Sequence, residues 1–233
     1  MKKCVFFNIK YSEEIYKQFK ISLNTFLKYN QGYDVFVNCL DDEIYYKLSN
    51  TNINTLRIKS NIAITNKIGY RNLFKNQKKN YKNYKDFEFR ECLVKYDVAE
   101  FLCKKYDFVL YLDVDLEFAH SIYSDVVYFM RTPATVGMPV EWLINGIPTY
   151  NVGTIFFKKV STIKLFNYII NKYDFLKYVK EYRNINFVLC DTEIINIAFH
   201  KGYLNIIEIL KNRIWFKNHN CEKNKRIFSI SLQ

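Results

Sequence analysis

The stretch KKYDFVLYLDVDLEFA, residues 104–119, decides how the rest of the chain is read. Phe108 to Leu112 form an unbroken apolar run, and Asp113, Asp115 and Glu117 follow at once. Such a run marks a strand buried on both faces, as in a parallel sheet. Carboxylates at its end are costly unless something satisfies them. In a regular strand Asp113 and Asp115 share a face. Where the strand stops they can converge on one hard cation, and Mg²⁺ or Mn²⁺ prefers such oxygen ligands. That cation would in turn bridge the phosphates of a nucleotide. A solvated turn after the strand is the plainer reading of the same residues.

Upstream, the chain alternates strands and helices. KKCVFFNI (2–9) reads as a short buried strand. A helix follows over 12–30: Ser12 can cap it, Glu13 and Glu14 suit its first turn, and Ile15, Phe19, Leu23, Phe26 and Leu27 recur on one face. YDVFVNCL (33–40) is a second strand, DDEIYYKLSN (41–50) a short helix and INTLRIKS (53–60) a third strand. This β-α-β-α-β order predicts a mostly parallel sheet with helices on its faces. In such sheets ligands sit at the carboxyl ends of the strands, where Asp113 and Asp115 lie.

Residues 60–88 break the rhythm with a long basic loop rich in Tyr and Asn, a length that is more often functional than idle. A helix over 89–106, with Phe89, Leu93, Tyr96, Ala99, Leu102 and Cys103 on one side, then delivers the chain to the acidic strand. Beyond it come TVGMPVEW (135–142), IPTYNVGTIFFKK (147–159), a helix from Thr162 to about Lys180, and DTEIINIAFHKGY (191–203). In that last piece Asp191 can cap a helix that buries Ile194, Ile195 and Ala198. The end of the chain alternates apolar and basic residues without a clear period, and 211–233 reads as a short tail.

Composition narrows the class. Residues of apolar type make up 49% of the 233, which excludes a disordered chain and suffices for one medium domain spanning 1–233. Six cysteines are scattered without a C-x-x-C pair, a pattern of reduced core thiols rather than a zinc site. No run approaches the ~20 apolar residues of a membrane span, and the N-terminal apolar run is too short for a signal-peptide core, so a cytoplasmic protein is expected. The net charge of +12 has two readings. One is an anionic partner; the other is coding bias, since Lys, Asn, Ile, Tyr and Phe, all abundant here, share A/T-rich codons.

A phosphatase of the haloacid dehalogenase type also opens with an apolar strand and D-x-D. There the motif stands on the first strand, and a Thr or Val usually occupies the position held here by Glu117. The segment 89–118 instead resembles the R-x-x-x-x-x-x-L-x-x-x-Y-D-K-V-L-Y-L-D-x-D segment of nucleotide-sugar glycosyltransferases with the GT-A fold. It is most similar to glycosyltransferase family eight, the group of glycogenin and the bacterial lipopolysaccharide galactosyltransferases. Residues 4–37 resemble that family's first strand, helix and second strand. YNVGTIFFKK (150–159) is similar to its F-N-x-G segment, and CDTEIINIAF (190–199) to its D-Q-D-x-h-N-x-x-F helix.

The resemblance implies a GT-A domain that moves a sugar from a nucleotide-diphosphate donor, a UDP-sugar, to the hydroxyl of an unspecified carbohydrate, protein or lipid-linked acceptor. By similarity Asp113 and Asp115 would hold Mn²⁺ (or Mg²⁺), Arg90 would contact the donor, and Asn151 and Gly153 would line the donor sugar. Asp191 would face that sugar, with Glu193 and Asn196 in reach or simply polar helix positions. Three departures stand out. FNIKY replaces the acids that read the base, leaving Tyr11 as a stacking candidate. Asp191-Thr192-Glu193 replaces D-Q-D, which leaves retention of configuration open. No H-x-x-G-x-x-K-P-W motif supplies a third metal ligand, and His219, with Lys217 or Lys223 near the phosphates, is the substitute in FKNHNCEK (216–223). His120 and His200 read as structural. The alternatives are a non-catalytic domain binding nucleic acid or another polyanion through NQKKNYKNYK (76–85) and KNHNCEKNKR (217–226), or a degenerate transferase fold kept as a binding partner.

Overall fold

The computed structural model describes residues 1–60, 86–144, 146–158 and 191–209. Most of the basic 60–88 segment, the expected helix from Thr162 and the tail with Lys217, His219 and Lys223 lie outside them. The predicted alternating start is present as β1 (Lys3–Ile9), α1 (Glu13–Tyr29), β2 (Asp34–Cys39), α2 (Asp42–Leu48) and β3 (Asn54–Leu56). Ser12 caps α1 as expected, its Oγ accepting the Ile15 N–H at 3.1 Å; a cap of this kind contributes about 1 kcal/mol. Phe19, Leu23 and Phe26 are buried, while Ile15 and Leu27 are half-buried at the margins of the stripe.

The third strand is shorter than its sequence suggests. After Leu56 the chain leaves the ladder, and the Asn38 side chain takes over the pairing. Its Oδ1 accepts the Ile58 N–H at 2.8 Å and its Nδ2 donates to the Ile58 carbonyl at 3.1 Å.

The chain continues through α3 (Asp86–Leu102), β4 (Phe108–Leu112), α4 (Tyr123–Arg131), β5 (Val136–Met138), β6 (Val140–Ile144), β7 (Ile147–Tyr150), β8 (Thr154–Phe157), α5 (Asp191–His200) and β9 (Ile206–Glu208). Helix α4, for which the sequence reading carries no expectation, buries Val126 and Phe129. The main sheet runs β3-β2-β1-β4-β8-β5-β9, with β6 and β7 as a separate two-stranded ribbon turning at Gly146, whose φ of +77° suits glycine. Neighbours in the sheet are parallel except along β8, which is antiparallel to both β4 and β5.

Period-two alternation divides the core between the two faces of this sheet. Val5, Phe7, Phe108 and Leu110 face α1, α2 and α4, whereas Cys4, Phe6, Val109 and Tyr111 face α3 and α5. Helix α3 departs from the expected one-sided pattern. Residues 93–99 are buried all round, Lys95 and Asp97 included, because α5 joins the same cluster. Cys4 and Cys39 are buried and Cys92 and Cys103 half-buried, all as free thiols. Burial pushes the Cys39 thiol up to about 11, so it stays protonated and inert. Among the described residues no helix is long and apolar enough to cross a membrane.

Candidate active site at the carboxyl edge of the sheet

Parallel pairing of β3, β2, β1 and β4 brings their carboxyl ends to one edge. Because β8 runs the other way, its start meets the end of β4: Leu112 pairs with Thr154, and the Asp113 N–H donates to the Gly153 carbonyl at 2.8 Å. The acid that ends the apolar run and the Asn151–Gly153 turn, forty residues later in sequence, are thereby neighbours.

The Asp113 carboxylate is held by Tyr111 and lies against the backbone at Gly153. Its Oδ1 accepts the Tyr111 hydroxyl at 2.5 Å, as two residues on one strand face allow. Its Oδ2 lies where glycine leaves space: a Cβ on Gly153 would stand 2.9 Å from that oxygen and 3.0 Å from Asn151 Oδ1. The Gly153 N–H donates to Asn151 Oδ1 at 2.7 Å, closing the turn and leaving the Asn151 NH₂ facing away from that bond. If a metal-bound nucleotide docks at this edge, Gly153→Ala will lower its affinity by about 10- to 100-fold, because a Cβ there must displace the Asp113 carboxylate or the Asn151 amide. Calorimetric titration against the parent protein checks it, with unfolding in urea as the control for the fold.

Two residues outside the sequence expectations belong to this edge. Lys95 on α3 is 4% exposed; its ammonium donates to the Val152 carbonyl at 3.2 Å and lies 4.3 Å from the Tyr111 ring centroid. A buried lysine is costly unless anions and carbonyls surround it. The signal in the sequence is a lysine within Leu93-Val94-Lys95-Tyr96, on a stretch apolar enough to be buried all round. Arg90 lies on the same helix five residues earlier.

Asn8 is the second. It follows Phe6 on the face that carries Tyr111, one strand away from Asp113. Both polar atoms of its side chain are buried and without a hydrogen-bond partner among the described residues, while its cross-strand neighbour Asn38 bonds both the N–H and the carbonyl of Ile58. An amide in that state is set for a ligand or water. Its sequence signal is an asparagine near the end of an otherwise apolar strand.

The remaining expected residues divide. Asp115 and Glu117 are half-buried in the turn after β4. Tyr11 is tied to its own loop: its hydroxyl donates to Glu13 Oε1 at 2.5 Å, which raises the phenol pKa, and Lys47 lies 4.6 Å from its ring centroid. Asp191 opens α5, and Asn196 one turn later secures that helix to β7. The Asn196 Oδ1 accepts the Tyr150 N–H at 2.8 Å and its Nδ2 donates to the Tyr150 carbonyl at 3.1 Å. His219 lies outside the described residues, and among those described no group of three or more His, Cys, Asp or Glu side chains is arranged to hold a metal. Asp113 and Asp115, with one residue between them, offer carboxylate oxygens, the hard donor type that Mg²⁺ or Mn²⁺ prefers.

The chain has the GT-A fold of nucleotide-sugar transferases, a mixed α/β domain with a mostly parallel seven-stranded sheet. Mouse xyloside xylosyltransferase 1, in its apo form, matches with a TM-score of 0.54 at 12% identity, over 89% of this chain and 85% of that one. The apo bifunctional glycosyltransferase WbbM matches at 0.50 and 9% identity, over 89% of this chain and 38% of that one. The apo glycosyltransferase GlyE of Streptococcus pneumoniae TIGR4 aligns at 0.48 and 15% identity, over 89% of this chain. The chain spans 45% of the length of GlyE. No protein-family model and no curated protein matches the chain.

Proposed function

We propose that the chain is a metal-dependent glycosyltransferase of the family-eight kind, moving a sugar from a UDP-sugar to an acceptor hydroxyl. The observation that carries this reading is the seat of Asp113, fixed by Tyr111 and opposed by the side-chain-free Gly153 at the carboxyl edge of the sheet. A solvated turn or a polyanion-binding surface has no use for a carboxylate held in this way.

Asp113 and Asp115 would hold Mn²⁺ (or Mg²⁺), with His219 as the third protein ligand. A divalent cation bound there supplies Lewis-acid stabilisation of the departing nucleoside diphosphate. Lys95 adds a fixed positive charge beside the turn, and Arg90 is the second cation on the same helix. The Asn8 amide presents a donor and an acceptor to the base, and Tyr11 closes the base site from its loop. Asn151 offers its NH₂ to the sugar hydroxyls. Asp191, which opens α5, is the acid that would face the reacting carbon, with retention of configuration as the outcome expected from the family.

Titration of UDP into the protein with Mn²⁺ and with EDTA tests the reading. Micromolar binding with the metal that disappears in EDTA is the expected result. UDP binding that ignores EDTA, or no nucleotide binding by a folded protein, would overturn it.

A further inference from the structure

A second concave surface lies at the opposite edge of the sheet. It is a groove of about 540 Å³ lined by Lys2, Lys3, Lys105, Gly32, Asp34 and Tyr106, a size that suits a small organic ligand. The five residues of β4 separate it from Asp113 by roughly 16 Å at ~3.3 Å per residue, too far for one ligand to reach both.

Its charge is unbalanced. None of the three lysines forms an ion pair among the described residues. Three lysines stand in its lining against the single carboxylate of Asp34, whose Oδ2 accepts the Tyr106 hydroxyl at 2.7 Å; Asp107, outside the lining, accepts the Lys2 backbone N–H at 2.7 Å. Two of the cations are already ordered on aromatic rings, Lys3 at 4.4 Å from the Tyr33 centroid and Lys105 at 5.4 Å from that of Phe101. Ordering them in advance lowers the entropy cost of clamping an anion.

We infer that this groove binds the phosphate or diphosphate group of a second ligand, distinct from the sugar donor, with Lys2, Lys3 and Lys105 as its cations. The shared chemistry admits a soluble organic phosphate or an anionic lipid headgroup. This site goes beyond the proposed transferase reading and stands without it.

The test titrates inorganic pyrophosphate into the full chain in EDTA, so that no metal assists binding at Asp113. A parallel arm sediments the protein with vesicles of phosphatidylglycerol or of phosphatidylcholine alone. Lys2→Ala/Lys105→Ala is compared throughout; both side chains are exposed and lack ion pairs among the described residues, and thermal unfolding verifies its fold. The inference expects salt-sensitive binding of pyrophosphate or of the anionic vesicles, weakened at least about tenfold by the variant. Pyrophosphate binding alone assigns a soluble phosphate, and vesicle binding alone assigns a headgroup. Binding of neither probe, equal binding by the variant, or a single-stranded oligonucleotide outcompeting both at the same lysines overturns it.

Discussion

On the proposed transferase reading, the Asp113→Asn/Asp115→Asn double variant will lose Mn²⁺-dependent UDP binding by at least about a thousandfold, roughly 4 kcal/mol, while keeping its fold. Both substitutions preserve shape, remove the charge and exchange one acceptor oxygen for an NH₂ donor. The backbone bond from residue 113 to the Gly153 carbonyl does not involve the side chain, and an amide oxygen at 113 can still accept the Tyr111 hydroxyl. Nothing in the sheet therefore needs to move. What disappears is the pair of anionic oxygens that a hard cation requires beside a diphosphate. Calorimetry with Mn²⁺ measures the loss, and urea unfolding of the same samples confirms that the protein is intact. Undiminished Mn²⁺-dependent affinity in the double variant would sink the assignment of the metal to these acids.

Asn196→Ala is expected to cost about 2–4 kcal/mol of stability, because it strands two buried backbone groups at once. Asn196 is 1% exposed, and its amide meets both the N–H and the carbonyl of Tyr150 while also donating to the Thr192 carbonyl at 2.7 Å. In effect one side chain acts as an extra strand residue against β7. The Tyr150 ring adds a T-shaped contact with Phe199, centroids 4.9 Å apart, but that contact cannot satisfy the polar groups. The unfolding midpoint in urea reads the loss directly. A second readout separates position from stability. Tyr150 immediately precedes Asn151, so UDP affinity at a temperature where the variant is fully folded should also fall. A midpoint within ~0.5 kcal/mol of the parent would show that Tyr150 does not depend on this amide.

Several features were legible because their cause is local. The Ser12 cap, the apolar stripe of α1 and the buried run Phe108–Leu112 each depend on spacings of two to four residues. The β-α-β-α-β order then restricts the topology, since parallel crossovers leave few alternatives. On that basis the sequence placed Asp113 and Asp115 at the carboxyl edge of the sheet. The Asn151–Gly153 segment could be paired with them only through resemblance, because no local period connects residues forty apart.

By itself, then, the sequence determined the opening β-α-β-α-β order, the α/β class and the acidic strand end, all through short-range periodicity and capping. The tertiary structure alone decided which groups face that strand end. The reversed direction of β8 delivered Gly153 to Asp113, and the packing of α5 over α3 enclosed Lys95 beside Val152. The pairing of β1 with β2 and β4 left the Asn8 amide buried without a partner among the described residues. Asn196 likewise reads as a polar helix position until β7 lies against it. The physical reason is common to all four: burial and hydrogen-bond satisfaction belong to pairs of surfaces, and a side chain's neighbours across a sheet exist only once the chain has closed on itself.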